Sequence, residues 1–256
     1  MGAGALSQPG AQRQPSGGVG TVTGAAIARP DGEPRVLVVC GMDFEARIAG
    51  GQHSEVVYGQ RGTALGVAIE RCVKACAGII SFGVAGGLDP ALVPGAVVIA
   101  TSVRDETDGV STPTDPAWVT ALQEALPQAV SGVIAGSDTA VVTLADKAAL
   151  RDAGGALAVD MESHIAARVA RHYGLPFAAC RVVIDPATRA VPPLAVAGMG
   201  SDGRTDVGAV MVGLLKAPWQ LPALMRLGRD ASVAKANLLA VRRAVGQHWG
   251  VIACTY

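Results

Sequence analysis

The sequence has few aromatic and few charged side chains. Aromatic residues make up 4% and charged residues 16% of its 256 residues. The 21 basic and 21 acidic side chains cancel, so the formal net charge is zero. Proteins that bind nucleic acids usually carry a basic surface and aromatic side chains that stack on bases, so this composition argues against a nucleic-acid partner.

The sequence also lacks a cysteine pattern and a long apolar run. The five cysteines form neither a disulfide framework nor the spacing of a zinc site, which predicts a reduced, cytoplasmic protein without a metal centre. Half of the residues are hydrophobic, but glycine and proline interrupt the apolar stretches before they reach the length of a membrane span. Residues 1–34 have no periodicity and no signal-peptide core, so we expect a disordered N-terminal arm.

The rest of the chain alternates strand patterns with helical patterns. Residues 35–40 (RVLVVC) form an apolar run that leads through a glycine into a helix, as α/β domains commonly begin. The same alternation continues along the chain, with strands predicted at 78–82, 96–103, 133–135, 140–144 and 177–184, and helices at 64–76, 118–126 and 220–245. We therefore predict one α/β domain over residues 35–250, with a central mixed, mostly parallel, twisted sheet flanked by helices.

Residues 157–186 combine a helix and a strand, each bordered by acidic side chains. Apolar residues recur every four positions after Asp160, which we interpret as the N-cap, so that Glu162 lies on the first helical turn. The following strand is almost entirely apolar and ends in Asp185. Because ligands bind beyond the carboxyl ends of strands in open α/β sheets, Glu162 and Asp185 are expected at one ligand-binding rim.

Two further segments are expected at the same rim. Glu45 follows the first strand, where an acid is also explained by the dipole at a helix N-terminus. The segment 83–88 (GVAGGL) is interpreted as a glycine-rich turn that lets the backbone approach a ligand, although such turns are often only structural. It does not match the dinucleotide-binding fingerprint. His164 and His172 lie on the predicted helix and are interpreted as solvated.

These motifs occur together in one known family. Over residues 36–245 the chain resembles the nucleoside phosphorylase and nucleosidase superfamily. The motifs that carry the resemblance occur in the order found in that family: GMDFEA, GVAGGL, AVDMES followed by GLPF, and RVVID. Within it, the chain resembles 5′-methylthioadenosine/S-adenosylhomocysteine nucleosidases. The segments SFGVAGGLDPAL, VDMESHIAARVA, DPATRAVPP and QLPALMRL are similar to the hopanoid-associated phosphorylase branch. The resemblance implies release of adenine from a 5′-substituted adenosine, which in that branch is adenosylhopane.

The resemblance also implies a role for each matching residue. Asp185 matches the general acid that protonates the purine, and Glu45 matches the acid that positions the attacking water. Glu162 matches the carboxylate that binds the ribose diol. Because the loop GSDTAVV lacks the aromatic residue that stacks on the base in those nucleosidases, the base contacts stay open. The other expected substrate contacts are Met161, Ala85, Gly86, Met42 and Asp138.

Several alternatives remain open at this point. The chain fits a general nucleosidase of the methylthioadenosine type, a phosphate-dependent nucleoside phosphorylase, or a non-catalytic nucleoside-binding module. No cofactor is implied, but inorganic phosphate stays open as a co-substrate. Three features predict a lipid-linked nucleoside substrate and peripheral contact with the inner face of the membrane. They are a connection after Glu45 that is shorter than in the nucleosidases, the Pro- and Gly-rich segment 186–207 and the apolar residues around Trp219. A homo-oligomer is expected, as in the family.

Overall fold

The computed structural model describes residues 21–22, 35–198 and 206–250. Its strands are β1 Thr21–Val22, β2 Arg35–Val39, β3 Ser54–Val57, β4 Cys76–Gly87, β5 Val97–Asp105, β6 Ser111–Pro113, β7 Val130–Gly136, β8 Ala158–Asp160 and β9 Phe177–Asp185. Its helices are α1 Asp43–Ala49, α2 Gly62–Cys72, α3 Pro116–Ala125, α4 Leu144–Gly154, α5 Ser163–Tyr173, α6 Pro193–Ala197, α7 Val207–Lys216 and α8 Leu221–Ala244, with 3₁₀ turns at Val73–Ala75 and Pro218–Gln220.

The described strands form one mixed sheet in the order β1-β3-β2-β4-β8-β7-β5-β6, and β9 pairs with both β4 and β5. The longest pairings, β4 with β9 and β5 with β7, are parallel, whereas β9 runs antiparallel to β5. Because β9 closes the path β4-β8-β7-β5, the sheet curls into a ring. The predicted α/β class with a mixed, mostly parallel sheet is confirmed.

Helices cover both faces of this sheet and bury two apolar layers. One layer packs α2 and α5 against the sheet through residues such as Leu65, Ile69 and Ile165. The other packs α3 and α8 against it through residues such as Trp118 and Leu238. The alternation of buried strands and amphipathic helices in the sequence therefore corresponds to two helical layers around one sheet.

Three local expectations were wrong. The predicted strand at 140–144 is a loop followed by α4, which begins after the N-cap Thr143, whose side chain accepts a hydrogen bond from Asp146 N. The segment 83–88 is not a turn, because β4 continues through Gly87, paired with β9 on one side and with β8 at its end. Helix α5 begins at Ser163, so Glu162 is its N-cap and Met161 precedes it.

The side chain of Asp160 nevertheless accepts hydrogen bonds at the start of α5. Its Oδ1 accepts hydrogen bonds from the backbone N–H groups of Glu162 at 3.0 Å and Ser163 at 2.7 Å. The predicted loop 186–207 contains α6, and residues 199–205 lie outside the described part of the chain. Most of the predicted N-terminal arm also lies outside it, but Thr21–Val22 pair with β3.

Candidate active site

A cavity of about 450 Å³ lies where β2, β4, β8 and β9 end. Seven of the eight expected site residues line it: Met42, Glu45, Ala85, Gly86, Met161, Glu162 and Asp185. Asp138 is not among the lining residues, although the next residue, Thr139, is. The strand ends thus bring residues that are far apart in the sequence, from Met42 to Asp185, to one cavity, as expected for an α/β sheet.

Glu45 is held rigidly at one end of the cavity. Its Oε2 accepts hydrogen bonds from the backbone N–H groups of Gly41 at 2.9 Å and Met42 at 2.8 Å. Its Oε1 accepts from Val84 N–H at 2.7 Å. Burial raises the pKa of this carboxyl, against the opposing effects of the Arg181 guanidinium and these three donors. Because Oε1 takes one donor, it keeps acceptor capacity for a water molecule.

Arg181 lies beneath the acidic end of the cavity and is fully buried. Its Nε is 2.8 Å from Asp160 Oδ2, and its Nη2 is 3.3 Å from Glu162 Oε2. Nη2 also donates to the hydroxyl of Ser81 at 2.5 Å. One guanidinium therefore neighbours three carboxyl groups. Burial lowers the pKa of Arg181, but the carboxyl groups of Asp160, Glu162 and Glu45 outweigh this effect and raise it.

Burial, together with this imbalance of charge, determines the protonation state of Glu162. Burial raises its pKa to about 7; Arg181 opposes the shift, and Asp160 and Glu45 add to it. Glu162 Oε1 also lies close to the backbone of Gly41, where an added Cβ would come within 2.5 Å of it. The carboxyl of Glu162 is thus fixed in place beside the cavity and titrates near neutral pH.

Asp185 lies at the other end of the cavity and is paired with a lysine. Lys147 Nζ, on α4, is 2.5 Å from Asp185 Oδ2, and the Lys147 side chain is 1% exposed. Burial raises the pKa of the Asp185 carboxyl, whereas Lys147 and, to a lesser extent, Arg189 oppose the shift. Gly86 packs against this carboxyl, since a Cβ on Gly86 would be 3.4 Å from Asp185 Oδ2.

Asp138 is engaged outside the cavity. Its Oδ1 lies 3.0 Å from His164 Nε2, and about half of its side chain is exposed. His164 is buried, so its interpretation as a solvated residue was wrong, whereas His172 is exposed. His164 fits beneath the loop because Gly136 has no side chain: a Cβ there would lie 2.3 Å from His164 Cβ.

The remaining wall of the cavity is apolar. It is formed by residues of β9, α6, α7, α8 and the loop before α4: Val141, Val142, Ile184, Ala195, Val196, Val210, Leu224, Leu227 and Ala231. No Lys or Arg side chain is among the described residues that line the cavity. In the described ranges, no group of His, Cys, Asp and Glu is arranged to hold a metal ion.

Sequence reasoning missed Arg181 and Lys147. Arg181 is a charged residue in the middle of an apolar strand, which is a signal that it requires buried acidic partners. Lys147 gave no such signal, because its segment has the mixed composition of an ordinary surface helix. Only the packing of α4 shows that this lysine is buried.

The site can protonate a leaving group at one end and position a nucleophile at the other. Asp185 supplies a buried carboxyl with a raised pKa, and Glu45 supplies a rigid acceptor across the cavity. Glu162 adds a carboxyl that can accept two hydroxyl groups of a ligand. These features define a site for acid-assisted cleavage with an apolar wall beside it.

Comparison with known proteins identifies the family. The sequence matches the family profile described as the phosphorylase superfamily over residues 11–197. The chain therefore belongs to the phosphorylase superfamily, which confirms the family and the enzyme class expected from the sequence. Among curated proteins, sequence comparison finds no significant match.

Several solved structures share the fold. The 5′-methylthioadenosine/S-adenosylhomocysteine nucleosidase of Neisseria meningitidis is 20% identical with a TM-score of 0.57, covering 82% of this chain and 98% of its own. The corresponding nucleosidase of Campylobacter jejuni is 16% identical with the same TM-score and coverage. The futalosine hydrolase of Helicobacter pylori is 16% identical with a TM-score of 0.54, covering 60% of this chain and 88% of its own. At sequence identities this low, the similarity shows that these proteins share the fold and nothing further.

Proposed function

We propose that the protein hydrolyses the N-glycosidic bond of an adenosine that carries a large apolar 5′ group, most specifically adenosylhopane, and releases adenine. One observation carries the proposal. The cavity joins the Asp185 carboxyl, the Glu45 and Glu162 carboxyls and a long apolar wall in a single space. Ribose between the carboxyls would direct its 5′ substituent toward helices α6 to α8.

In the proposed reaction, each carboxyl has one task. Asp185 transfers its proton to the purine, and the electron pair of the glycosidic bond leaves with the base, which departs as neutral adenine. Glu162 accepts hydrogen bonds from the ribose hydroxyls. The carboxylates also stabilise the positive charge that develops on the sugar. A water molecule held by Glu45 bonds to the anomeric carbon and gives up a proton to that carboxylate.

The position of the two acids along β4 supports attack from the opposite face. Glu45 binds the N–H of Val84, and Asp185 packs against Gly86, two residues further along the strand. Two residues of a strand span roughly 6.6 Å, so the two backbone positions that contact these acids are about that far apart. This spacing supports a sugar held between Glu45 and Asp185, with the water molecule on the face away from the base.

The charges around the cavity favour water over phosphate as the nucleophile. A phosphate dianion needs arginine or a nest of N–H groups. In the described part of the chain, the charged residues that line the cavity are all acidic: Glu45, Asp160, Glu162 and Asp185. Arg181 lies nearby but is already paired with the carboxyl groups of Asp160 and Glu162.

We also propose that the protein acts as a homo-oligomer in the cytoplasm, at the inner face of the membrane. Support comes from the family resemblance and from exposed apolar side chains beside the apolar wall of the cavity. No described helix is long and apolar enough to cross a bilayer. Peripheral contact would give the enzyme access to a nucleoside whose 5′ group is embedded in lipid.

The test is adenine release from adenosine, methylthioadenosine and adenosylhopane in vesicles, each with and without phosphate. We expect release without phosphate, a free sugar product, and the highest kcat/KM for the lipid nucleoside. Equal kcat/KM for methylthioadenosine would replace the lipid assignment with a general nucleosidase. A sugar 1-phosphate formed only with phosphate would indicate a phosphorylase. Binding without cleavage of any substrate would indicate a nucleoside-binding module.

A further inference from the structure

Lys147 is a buried cation whose hydrogen-bonding capacity is fully used by one short segment. Its three N–H donors bind Asp185 Oδ2 at 2.5 Å, Pro186 O at 2.8 Å and Arg189 O at 3.0 Å. A lysine ammonium has three donors and no acceptor. Every donor of Lys147 is therefore directed at residues 185–189, the segment that carries the proposed acid.

We propose that Lys147 is the positioning residue of Asp185, fixing the direction of its carboxyl and stabilising the carboxylate that forms when the proton leaves. This inference rests on the proposed function of Asp185 as general acid. Lys147 does not line the cavity, so it acts through Asp185 and not on the substrate.

The physical reason is that Lys147 interacts differently with Asp185 before and after the proton transfer. Before transfer, Lys147 faces a neutral carboxyl group, with which it interacts weakly. As the O–H bond of Asp185 breaks and the purine N–H bond forms, negative charge develops on Asp185 beside the ammonium. In a buried site this attraction is strong, and it increases toward the transition state.

The surroundings of Asp185 make such a partner necessary. Burial favours the neutral carboxyl and by itself would leave a weak acid. The other charged groups that act on Asp185 are Arg189, in the following loop, and Asp230, on α8. These two are paired with each other at 2.5 Å, so their charges oppose each other at Asp185. Lys147 is thus the main opposing charge.

The sign of the pH effect follows. A general acid is active only while protonated, so activity falls as the pH rises through the pKa of Asp185. Replacing Lys147 with Met removes a cation that lowers this pKa. The basic limb of the activity profile should therefore move to higher pH, by about 1–3 pH units for the loss of an adjacent opposite charge. A purely structural clamp would lower activity at every pH without this shift.

The experiment compares the wild type, Lys147→Met, Asp185→Asn and the double variant. We expect Lys147→Met to lower kcat roughly 10²-fold with little change in KM, and to have no further effect when Asp185 is already Asn. Thr143→Ala is the matched control, since it removes the N-cap of α4 without touching Asp185. It should leave the pH profile in place. An unshifted basic limb in Lys147→Met would overturn the proposal.

A second measurement separates this inference from the proposed function. The infrared C=O stretch of the protonated Asp185 carboxyl is isolated as the difference between the wild type and Asp185→Asn, and is followed against pH without substrate. We expect its titration midpoint to lie higher in Lys147→Met. Equal midpoints would refute the role of Lys147 even in an active enzyme. An inactive wild type with shifted midpoints would contradict only the proposed function.

Discussion

At the scale of single residues, the site is dominated by an excess of carboxyl groups over guanidinium. Arg181 contacts Asp160 and Glu162 directly, and from nearby it opposes the rise that burial causes in the pKa of Glu45. Burial penalises the ionised form of these acids, and one positive charge cannot compensate all three, so one buried group keeps a proton to near neutral pH. That group is Glu162, whose pKa rises to about 7.

This raised pKa makes stability depend on pH. An exposed glutamate titrates near 4.5, so the unfolded chain releases a proton that the folded protein retains up to about pH 7. The contribution of Glu162 to stability is therefore fully present below the lower value and is lost as pH rises through the higher one. Glutamine at this position cannot ionise. The free energy of unfolding of Glu162→Gln, relative to the wild type, should therefore rise by on the order of 2 kcal/mol between about pH 5 and about pH 8.

Urea unfolding of both proteins at the two pH values measures this gain. Glu124→Gln, at an exposed position on α3, supplies the control for loss of an ordinary surface carboxylate. If the difference between Glu162→Gln and the wild type is the same at both pH values, the carboxyl is ionised throughout and the charge imbalance described above is absent.

Asp185→Asn tests the proposed general acid. Asparagine keeps the shape of the side chain but has no acidic proton, so turnover should fall roughly 10²–10⁴-fold while substrate binding survives. Asparagine keeps an oxygen that accepts from Lys147 Nζ but cannot become the carboxylate that balances this buried charge, so we expect some loss of stability. Calorimetric binding of a substrate and the rate of adenine release are therefore measured together below the unfolding temperature. Activity close to the wild type would remove Asp185 from the mechanism.

At the scale of elements, β4 forms the floor of the site because its end is rich in glycine. At Gly83 the backbone passes directly beside Glu45 and Arg181. A Cβ on Gly83 would lie 2.6 Å from the carboxyl carbon of Glu45 and 2.7 Å from Arg181 Nη1. Neither group can move easily, because Glu45 is held by three backbone N–H groups and Arg181 is fully buried.

Gly83→Ala should therefore displace the Glu45 carboxyl and lower kcat/KM by roughly 10²-fold, the usual effect of misplacing a catalytic group by about 1 Å. The control is Gly66→Ala on α2, where a Cβ would meet only Ile165 at an ordinary 3.8 Å. Gly66→Ala should keep full activity and raise stability by about 0.5–1 kcal/mol, because alanine favours helices. Wild-type kinetics in Gly83→Ala would show that the floor is less rigid than its contacts indicate.

At the scale of the whole molecule, α7, α8 and the turn between them carry an exposed apolar surface. It consists of Met211, Val212, Leu215, Trp219, Leu221 and Met225, and Leu215 and Trp219 are 84% and 74% exposed. The same helices contribute the apolar wall of the cavity. Residues 207–229 contain Lys216, Arg226 and Arg229 but no acidic residue. Although the net charge is zero, this surface suits an anionic lipid headgroup region.

We expect the protein to sediment with anionic vesicles and Leu215→Asp to weaken that binding at least about tenfold, because a charge replaces a side chain that would enter the interface. Val93→Asp is the matched control, since Val93 is also well exposed but lies outside this surface. Cleavage of a water-soluble nucleoside should stay unchanged in Leu215→Asp. Equal vesicle binding by Leu215→Asp, Val93→Asp and the wild type would rule out this surface as the membrane contact.

The sequence by itself determined the fold class, the family and the position of Glu45, Glu162 and Asp185 at strand or helix ends. These follow from local periodicity and from short motifs, which need no knowledge of distant contacts. The tertiary structure decided what surrounds those acids. Arg181 and Lys147 reach them across 136 and 38 positions of the chain respectively, from Glu45 to Arg181 and from Lys147 to Asp185. Their burial, and hence their strong effect on the carboxyl pKa values, exists only once the helices and strands have packed together and excluded water.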